Sequence, residues 1–132
     1  MSLLWKTAVK AAQPAVEQFP VEKLKKAWAG DYSDSTMEQL AHPDAYPWDA
    51  WDERGADHLS KTMESVRQHG VQKPLQITKL PDGEGAEHEI QDGHHRGVAA
   101  IRLGHSHVPA IVHHPEFDRQ GNVTYPTMDW PE

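Results

Sequence analysis

A short polar segment near residue 93 carries the residue types best suited to chemistry. It runs Glu-Ile-Gln-Asp-Gly-His-His-Arg from Glu89 to Arg96, and small and apolar residues follow as far as Gly104. This pattern predicts the end of a strand, a tight turn and a short helix that stops at Gly104. The first amides of a helix lack intrahelical acceptors and lie at the positive end of its dipole, and the guanidinium of Arg96 adds a planar set of donors. The segment is therefore predicted to bind an anion, and a phosphate fits best.

The individual residues of this turn allow more than one role. Asp92 is predicted to cap the helix, with a metal-binding or catalytic role as the alternative. Arg96 could instead pair with an internal carboxylate, either Asp92 or Glu89. His94 and His95 are equally suited to contact with a ligand and to packing of the turn. Because an imidazole exchanges protons near neutral pH, both are candidate catalytic residues.

Histidine is unusually frequent, with ten residues in a chain of 132. His105 and His107 precede or begin the last predicted strand, and His113 and His114 end it. Imidazole is a good ligand for transition metals, but adjacent residues of a strand point to opposite faces, so His113 and His114 cannot both serve one site. We therefore expect surface or hydrogen-bonded histidines and no metal site.

Composition restricts the classes of function. With 13 basic and 20 acidic residues the formal charge is −7, so the overall field repels nucleic acid and DNA binding would need a local basic patch. The absence of cysteine excludes thiol chemistry and disulfides. Lys6 and Lys10 interrupt the apolar stretch near the N-terminus, and no segment approaches transmembrane length. These features predict a cytoplasmic protein without a membrane segment.

Hydrophobic periodicity predicts an α/β (α+β) fold with a small mixed sheet and flanking helices. The clearest helix spans residues 55–69, with apolar residues repeating every three or four positions and Gly70 as its C-cap. Ser35 to Glu38 has the form of a capping box and predicts a short helix that ends before Pro43. Four further segments have the character of strands: 19–24, 75–80, 86–90 and 107–113.

The compact domain is predicted to span residues 19–113. Residues 1–18 would form an N-terminal helical arm that packs on the domain or, alternatively, docks on a partner. Residues 114–132 would form a polar tail, with a weak extended pattern near Val123, that either wraps the domain or stays mobile.

Residues 46–53 form a proline-bounded loop with two tryptophans and three acids. Trp48 and Trp51 are predicted to fill the side of a small core, since large aromatic residues contribute strongly to core packing. Alternatively, the loop is a lid that supplies an aromatic wall for a ligand and a carboxylate for proton transfer.

An ordered series of motifs runs from residue 59 to residue 112. It comprises a helix with Glu64-Ser65-Val66 that ends in His69-Gly70-Val71, the strand entry Pro74-Leu75, the turn Asp92-Gly93-His94-His95-Arg96, the helix residues Val98-Ala99-Ala100, and Leu103-Gly104 followed by Val108-Pro109-Ala110-Ile111-Val112. In order and spacing, this series resembles the ParB/sulfiredoxin superfamily, and specifically its ParB-like N-terminal domain.

The resemblance implies a nucleotide ligand, because members of this superfamily bind CTP, ATP or ADP at the corresponding turn. Mg²⁺ could accompany the nucleotide. The residues implied for the site are Gly93, His94, His95 and Arg96 at the phosphates, and Gly70, Gln72 and Lys73 on the facing wall.

The sequence also departs from the family. Sulfiredoxin activity is excluded, because that enzyme needs a cysteine where His94 stands. In chromosome-partition proteins the turn usually reads Gly-Glu-Arg-Arg and a DNA-reading helical region follows, whereas a short polar segment follows here. Centromere recognition and a partition-type sliding clamp are therefore not expected. Lys73 replaces a glutamine that is common before the strand-entry proline, and it could meet a phosphate.

Three functions follow as hypotheses. The first is a nucleotide- or phosphate-binding domain with slow nucleoside-triphosphatase activity. The second is a metal-dependent nuclease, a description often given to small ParB-like proteins of bacteriophages and mobile elements, in which His94 or His95 would transfer protons and Arg96 would stabilise charge. The third is a non-enzymatic protein that binds a host partner through Trp5, Trp28 or the tryptophan loop.

Overall fold

The computed structural model describes residues 14–30, 35–42 and 55–128, with only the backbone of residues 55–57. Outside these residues lie the first 13 residues of the predicted arm, with Trp5, and the loop with Trp48 and Trp51. No helix in the described part of the chain combines the length and apolar character needed to cross a bilayer.

Four strands form a mixed sheet in the order β1-β4-β2-β3. They are β1 (Glu17–Pro20), β2 (Leu75–Lys79), β3 (His88–Asp92) and β4 (His107–His113). β1 is antiparallel to β4, β2 is parallel to β4, and β3 is antiparallel to β2. The described residues also form the helices α1 (Val21–Lys26), α2 (Met37–Ala41), α3 (Gly55–His69) and α4 (His94–Arg102), and a small hairpin of β5 (Glu116–Phe117) and β6 (Val123–Thr124). The predicted α/β class, with a mixed sheet and flanking helices, is confirmed.

The core fixes the position of α4, the helix that follows the polar turn. Its small residues Val98 and Ala100 are fully buried, together with Leu75 and Ile77 of β2. A Cβ atom on Gly97 would come within 2.8 Å of the terminal methyl of Met37, so glycine allows α2 and α4 to pack closely. Because α4 is held on both sides, the turn before it has a fixed orientation.

The first predicted strand is wrong in its C-terminal half. β1 ends at Pro20, and a helix begins at Val21. Phe19, Val21 and Leu24 are all buried, but Val21 and Leu24 are buried through helical spacing and not through strand alternation. Proline suits the start of a helix because it has no amide hydrogen to satisfy there, and the Glu-Lys-Leu-Lys-Lys sequence that follows Val21 favours the helical state.

Two other boundaries differ by one or two residues. The capping box begins at Thr36 rather than Ser35, since Thr36 Oγ1 accepts from the amide of Gln39 and the Gln39 side chain accepts from the amide of Thr36. The strand predicted at 86–90 is β3, at His88–Asp92. The predictions of α3, of its stop at Gly70 and of β4 are confirmed.

Tyr125 and Thr127, which follow the β5–β6 hairpin, both contact the sheet. The Tyr125 hydroxyl donates to the Lys79 carbonyl over 2.9 Å, and Thr127 lies 2.7 Å from Nδ1 of the buried His113. At the other end, β1 begins at Glu17, two residues before the proposed domain start. The division into arm, domain and tail stays a prediction.

Candidate functional site

The turn between β3 and α4 is built around Gly93. Its backbone has φ +100°, a conformation that L-amino acids with a side chain rarely adopt, and it is the N-cap residue of α4. The first helical hydrogen bond runs from the Gly97 amide to the Gly93 carbonyl over 2.8 Å, so the amides of residues 94–96 have no intrahelical acceptor. The prediction that Asp92 caps the helix is wrong, because Asp92 is the last residue of β3.

Glycine is also required at position 93 because two side chains pack directly against it. A Cβ atom there would lie 2.8 Å from Nη2 of Arg96 and 2.9 Å from Cγ of Leu75. The guanidinium of Arg96 therefore lies over the turn, next to the helix start. Backbone donors and a fixed positive charge meet at one place, as the sequence predicts.

Arg96 is only partly engaged by the protein. Its Nη2 lies 3.6 Å from Oδ2 of Asp92 and 3.4 Å from the carbonyl of Pro74, both long contacts. Glu89, the other acid considered as a partner, accepts a hydrogen bond from Gln91. Nε of Arg96 is buried and has no hydrogen-bond partner among the described residues. An unsatisfied buried donor costs about 1–3 kcal/mol, and a bound anion would relieve that cost.

The turn forms one wall of a cleft of about 420 Å³, which we call the turn cleft. Opposite lie α3 and the segment that follows it. All seven residues predicted to contact a ligand line this cleft: Gly70, Gln72, Lys73, Gly93, His94, His95 and Arg96. The structure thus brings together, across one space, two segments that are 20 residues apart in the sequence.

A third set of lining residues, on α3, is not predicted by the sequence. They are His58, Lys61, Thr62 and Ser65, spaced i, i+3, i+4 and i+7. This spacing places all four on one face, beside the apolar face that packs on the core. In the sequence, a polar stripe of this kind has the same pattern as an ordinary solvent-facing helix surface, so it gives no signal of a site.

The two histidines of the turn have different surroundings. His94 is 6% exposed, and its Nε2 contacts the carbonyl oxygen of Ala29. Because a carbonyl can only accept, Nε2 must carry the proton and donate. The ring of His95 is half-buried and packs edge-on against His58 of α3, with centroids 4.4 Å apart. His95 therefore reaches both walls of the cleft, whereas His94 ties the turn to the core.

Two histidines outside the cleft are buried in the sheet. His113 is completely buried; its Nε2 donates to Oε1 of Gln76 over 2.6 Å, and burial, with the neighbouring His114, lowers its pKa. His88 packs edge-on against Phe19, and its pKa is lowered mainly by burial. Within the described ranges no group of three or more metal-ligating side chains is found.

The chain is an α/β protein with a mixed four-stranded sheet, and the helix after β3 begins at a glycine. The family model of the ParB N-terminal domain matches residues 7–124, and the chain is a member of that family. This match confirms the resemblance drawn from the motifs.

The chain is similar to several solved structures, among them the following two. One is the C-terminally truncated chromosome-partitioning protein ParB from Caulobacter crescentus, complexed with CTP-gamma-S: 26% identity, TM-score 0.49, covering 81% of this chain and 47% of that one. The other is sulfiredoxin from Arabidopsis thaliana: 19% identity, TM-score 0.45, covering 75% of this chain and 84% of that one. The chain thus spans about half the length of the Caulobacter protein's chain. A search of curated proteins found no match.

Proposed function

We propose that this ParB N-terminal domain binds a nucleotide in the turn cleft, with the phosphates at the start of α4. The observation that carries the proposal is the buried Nε–H of Arg96, which has no acceptor in the described part of the chain and lies beside the start of α4, where the amides of residues 94–96 have no intrahelical acceptor. A guanidinium beside the start of a helix is a set of donors well suited to anionic oxygen. The nucleotide expected from family resemblance agrees with this chemistry.

The charges around the cleft support a ligand with several negative charges. Lys61, Lys73 and Arg96 line it, against the single carboxylate of Asp92 among the described lining residues. This is a local excess of positive charge in a chain with a formal charge of −7. The volume of about 420 Å³ is within the usual range for small-molecule sites.

Asp92 is the residue that would hold Mg²⁺. Its side chain is 56% exposed at the edge of the cleft, and Mg²⁺ in nucleotide sites is usually bound by one or two carboxylates together with phosphate oxygens. With Mg²⁺ present, Asp92→Asn should weaken binding. Without Mg²⁺, the same substitution should strengthen binding, because it removes a negative charge that faces the phosphates.

Of the two candidate catalytic histidines, His95 is the one whose position suits proton transfer in the cleft. Nε2 of His94 is already used by the Ala29 carbonyl. We therefore expect slow phosphate release from a nucleoside triphosphate to depend on His95. His95→Gln keeps a polar side chain at the cleft, so it should abolish phosphate release while nucleotide binding persists with lower affinity. Unchanged release would remove His95 from this role.

The proposal is tested by melting the protein with CTP, ATP and ADP, each with and without Mg²⁺. A ligand at 100 times its Kd stabilises the fold by about 2.7 kcal/mol, which raises Tm by several degrees. Arg96→Gln should remove the rise. Arg67→Gln is the matched control, because Arg67 lies on α3, pairs with Glu64 and does not line the cleft. No rise with any nucleotide, or an equal rise in the Arg96 variant, would refute the proposal.

A further inference from the structure

A second cleft, of about 440 Å³, lies between α1 and the loop that leads into β3. We call it the lysine cleft; it is lined by Lys23, Lys26 and Ala27, by residues 85–87 and by His88. None of these residues lines the turn cleft. A ligand here would therefore bind independently of a nucleotide.

The described lining of this cleft carries two lysines against one carboxylate, that of Glu87. Lys23 and Lys26 are one helical turn apart on α1, and neither forms an ion pair with any described residue. Lys25, on the same helix, pairs with Glu22 over 3.1 Å. Neighbouring like charges repel each other, so an anion between Lys23 and Lys26 would be favoured.

His88 forms the floor of the lysine cleft. It is 8% exposed and packs edge-on against Phe19, with ring centroids 5.0 Å apart. Its pKa is lowered by burial and then by Lys79, its cross-strand neighbour on β2; Lys23 and His114 lower it further, while Glu87 opposes them. Positive charge from Lys79, and from Lys23 of the cleft, thus reaches a buried imidazole that can itself hydrogen-bond to an anion.

These observations define the chemistry of a ligand. Lysine binds phosphate as a point charge, and the cleft is large enough for a phosphate together with part of the group that carries it. We propose that the lysine cleft binds a phosphate group through Lys23, Lys26 and His88. The phosphate belongs either to a small anion or to the backbone of a nucleic acid. In so acidic a chain, binding of a nucleic acid requires a local basic patch.

His88 reports on binding directly. The test follows its imidazole resonances by NMR at constant ionic strength, first with inorganic phosphate and then with a single-stranded oligothymidylate. A bound anion offsets the field of Lys79 and Lys23, so the resonances should shift in a saturable way and the pKa of His88 should rise. Lys23→Gln and Lys26→Gln should each weaken binding about tenfold, whereas Lys25→Gln, with the same charge change, should alter it less than twofold.

The two sources of phosphate are separated by the same titrations. Tighter binding of the oligonucleotide than of inorganic phosphate at equal phosphate concentration identifies a nucleic-acid backbone, and equal or weaker binding identifies a small anion. In Arg96→Gln the response of His88 should persist, which distinguishes this cleft from the turn cleft. The proposal is overturned if neither probe shifts His88 saturably, or if Lys25→Gln weakens binding as much as the other two substitutions.

Discussion

The two walls of the turn cleft are built in different ways. On one wall the start of α4 presents backbone amides, and their position is fixed by Gly93 and by the buried residues of the helix. On the other wall α3 presents side chains from its solvent-facing surface, among them the exposed Lys61 and Ser65. A wall made of backbone cannot be changed without disturbing the fold, whereas a wall made of exposed side chains can. The α4 wall should therefore determine that the ligand is anionic, and the α3 wall should determine which anion binds well.

The largest effect should come from Gly93→Ala. The alanine would need a positive φ and would crowd Arg96 and Leu75, so we expect a loss of about 2–4 kcal/mol in the free energy of unfolding, together with loss of nucleotide binding. Gly83→Ala is the control, since Gly83 also has a positive φ, +86°, but has open space around it. Urea denaturation of both variants measures the difference. Equal losses would show that the close packing at Gly93 is unimportant.

His94→Ala should have the next largest effect on the stability of the fold. It removes a buried ring and leaves the Ala29 carbonyl without that donor, which should cost about 2–3 kcal/mol of stability. His95→Ala removes a half-buried ring at the cleft, so its cost in stability should be smaller and its effect on ligand affinity larger. Denaturation and isothermal titration on the two variants check this order, and the reverse order would contradict the roles assigned here.

Acidification should weaken the fold gradually through residues outside both walls. The folded pKa values of His113 and His88 lie below the ordinary value of histidine, about 6.5, so near and below that pH the unfolded chain binds more protons than the folded one. Stability is therefore complete above this pH and declines as the pH falls toward the folded pKa values.

Urea titrations between pH 7.5 and 5.5 measure this decline. This pH range lies above the one in which most carboxylates titrate. His113→Gln should reduce the slope of the free energy of unfolding against pH. His107→Gln, at an exposed position, should leave this slope unchanged. Equal slopes in the His113 variant and the parent protein would exclude His113 as a source of the pH dependence.

Lys61→Gln should have the smallest effect on the stability of the fold. Because the side chain is exposed, stability should change by less than about 0.5 kcal/mol. Affinity for the nucleotide should fall about tenfold, equivalent to about 1.4 kcal/mol, if the α3 wall contacts the phosphates. Isothermal titration against Arg67→Gln, on the same helix but outside the cleft, provides the check. Unchanged affinity in the Lys61 variant would restrict binding to the α4 wall.

The sequence predicted those parts of the molecule that depend on local chemistry. The α4 wall could be predicted because only glycine suits the turn at position 93. Helix α3 could be predicted from the spacing of its apolar residues. The boundary at Pro20 was misplaced, because Val21 and Leu24 fit both an inward-facing strand and a short helix, and packing on the core decides between them.

Other features could not be predicted because they arise from tertiary contacts. Nothing local indicates that His94 meets the carbonyl of Ala29, 65 residues earlier, or that His58 packs on His95. The α3 stripe was likewise indistinguishable from a solvated surface until the turn was placed opposite it.

We propose that the amides at the start of α4 and the guanidinium of Arg96 bind the phosphates of a nucleotide. The most direct test is an NMR titration of the isotope-labelled protein with the nucleotide that raises Tm most. The largest saturable shifts should fall on the amides of residues 94–96, on the Nε–H of Arg96 and on residues 70–73. Saturable shifts confined to other parts of the chain, with these groups unmoved, would contradict the proposal.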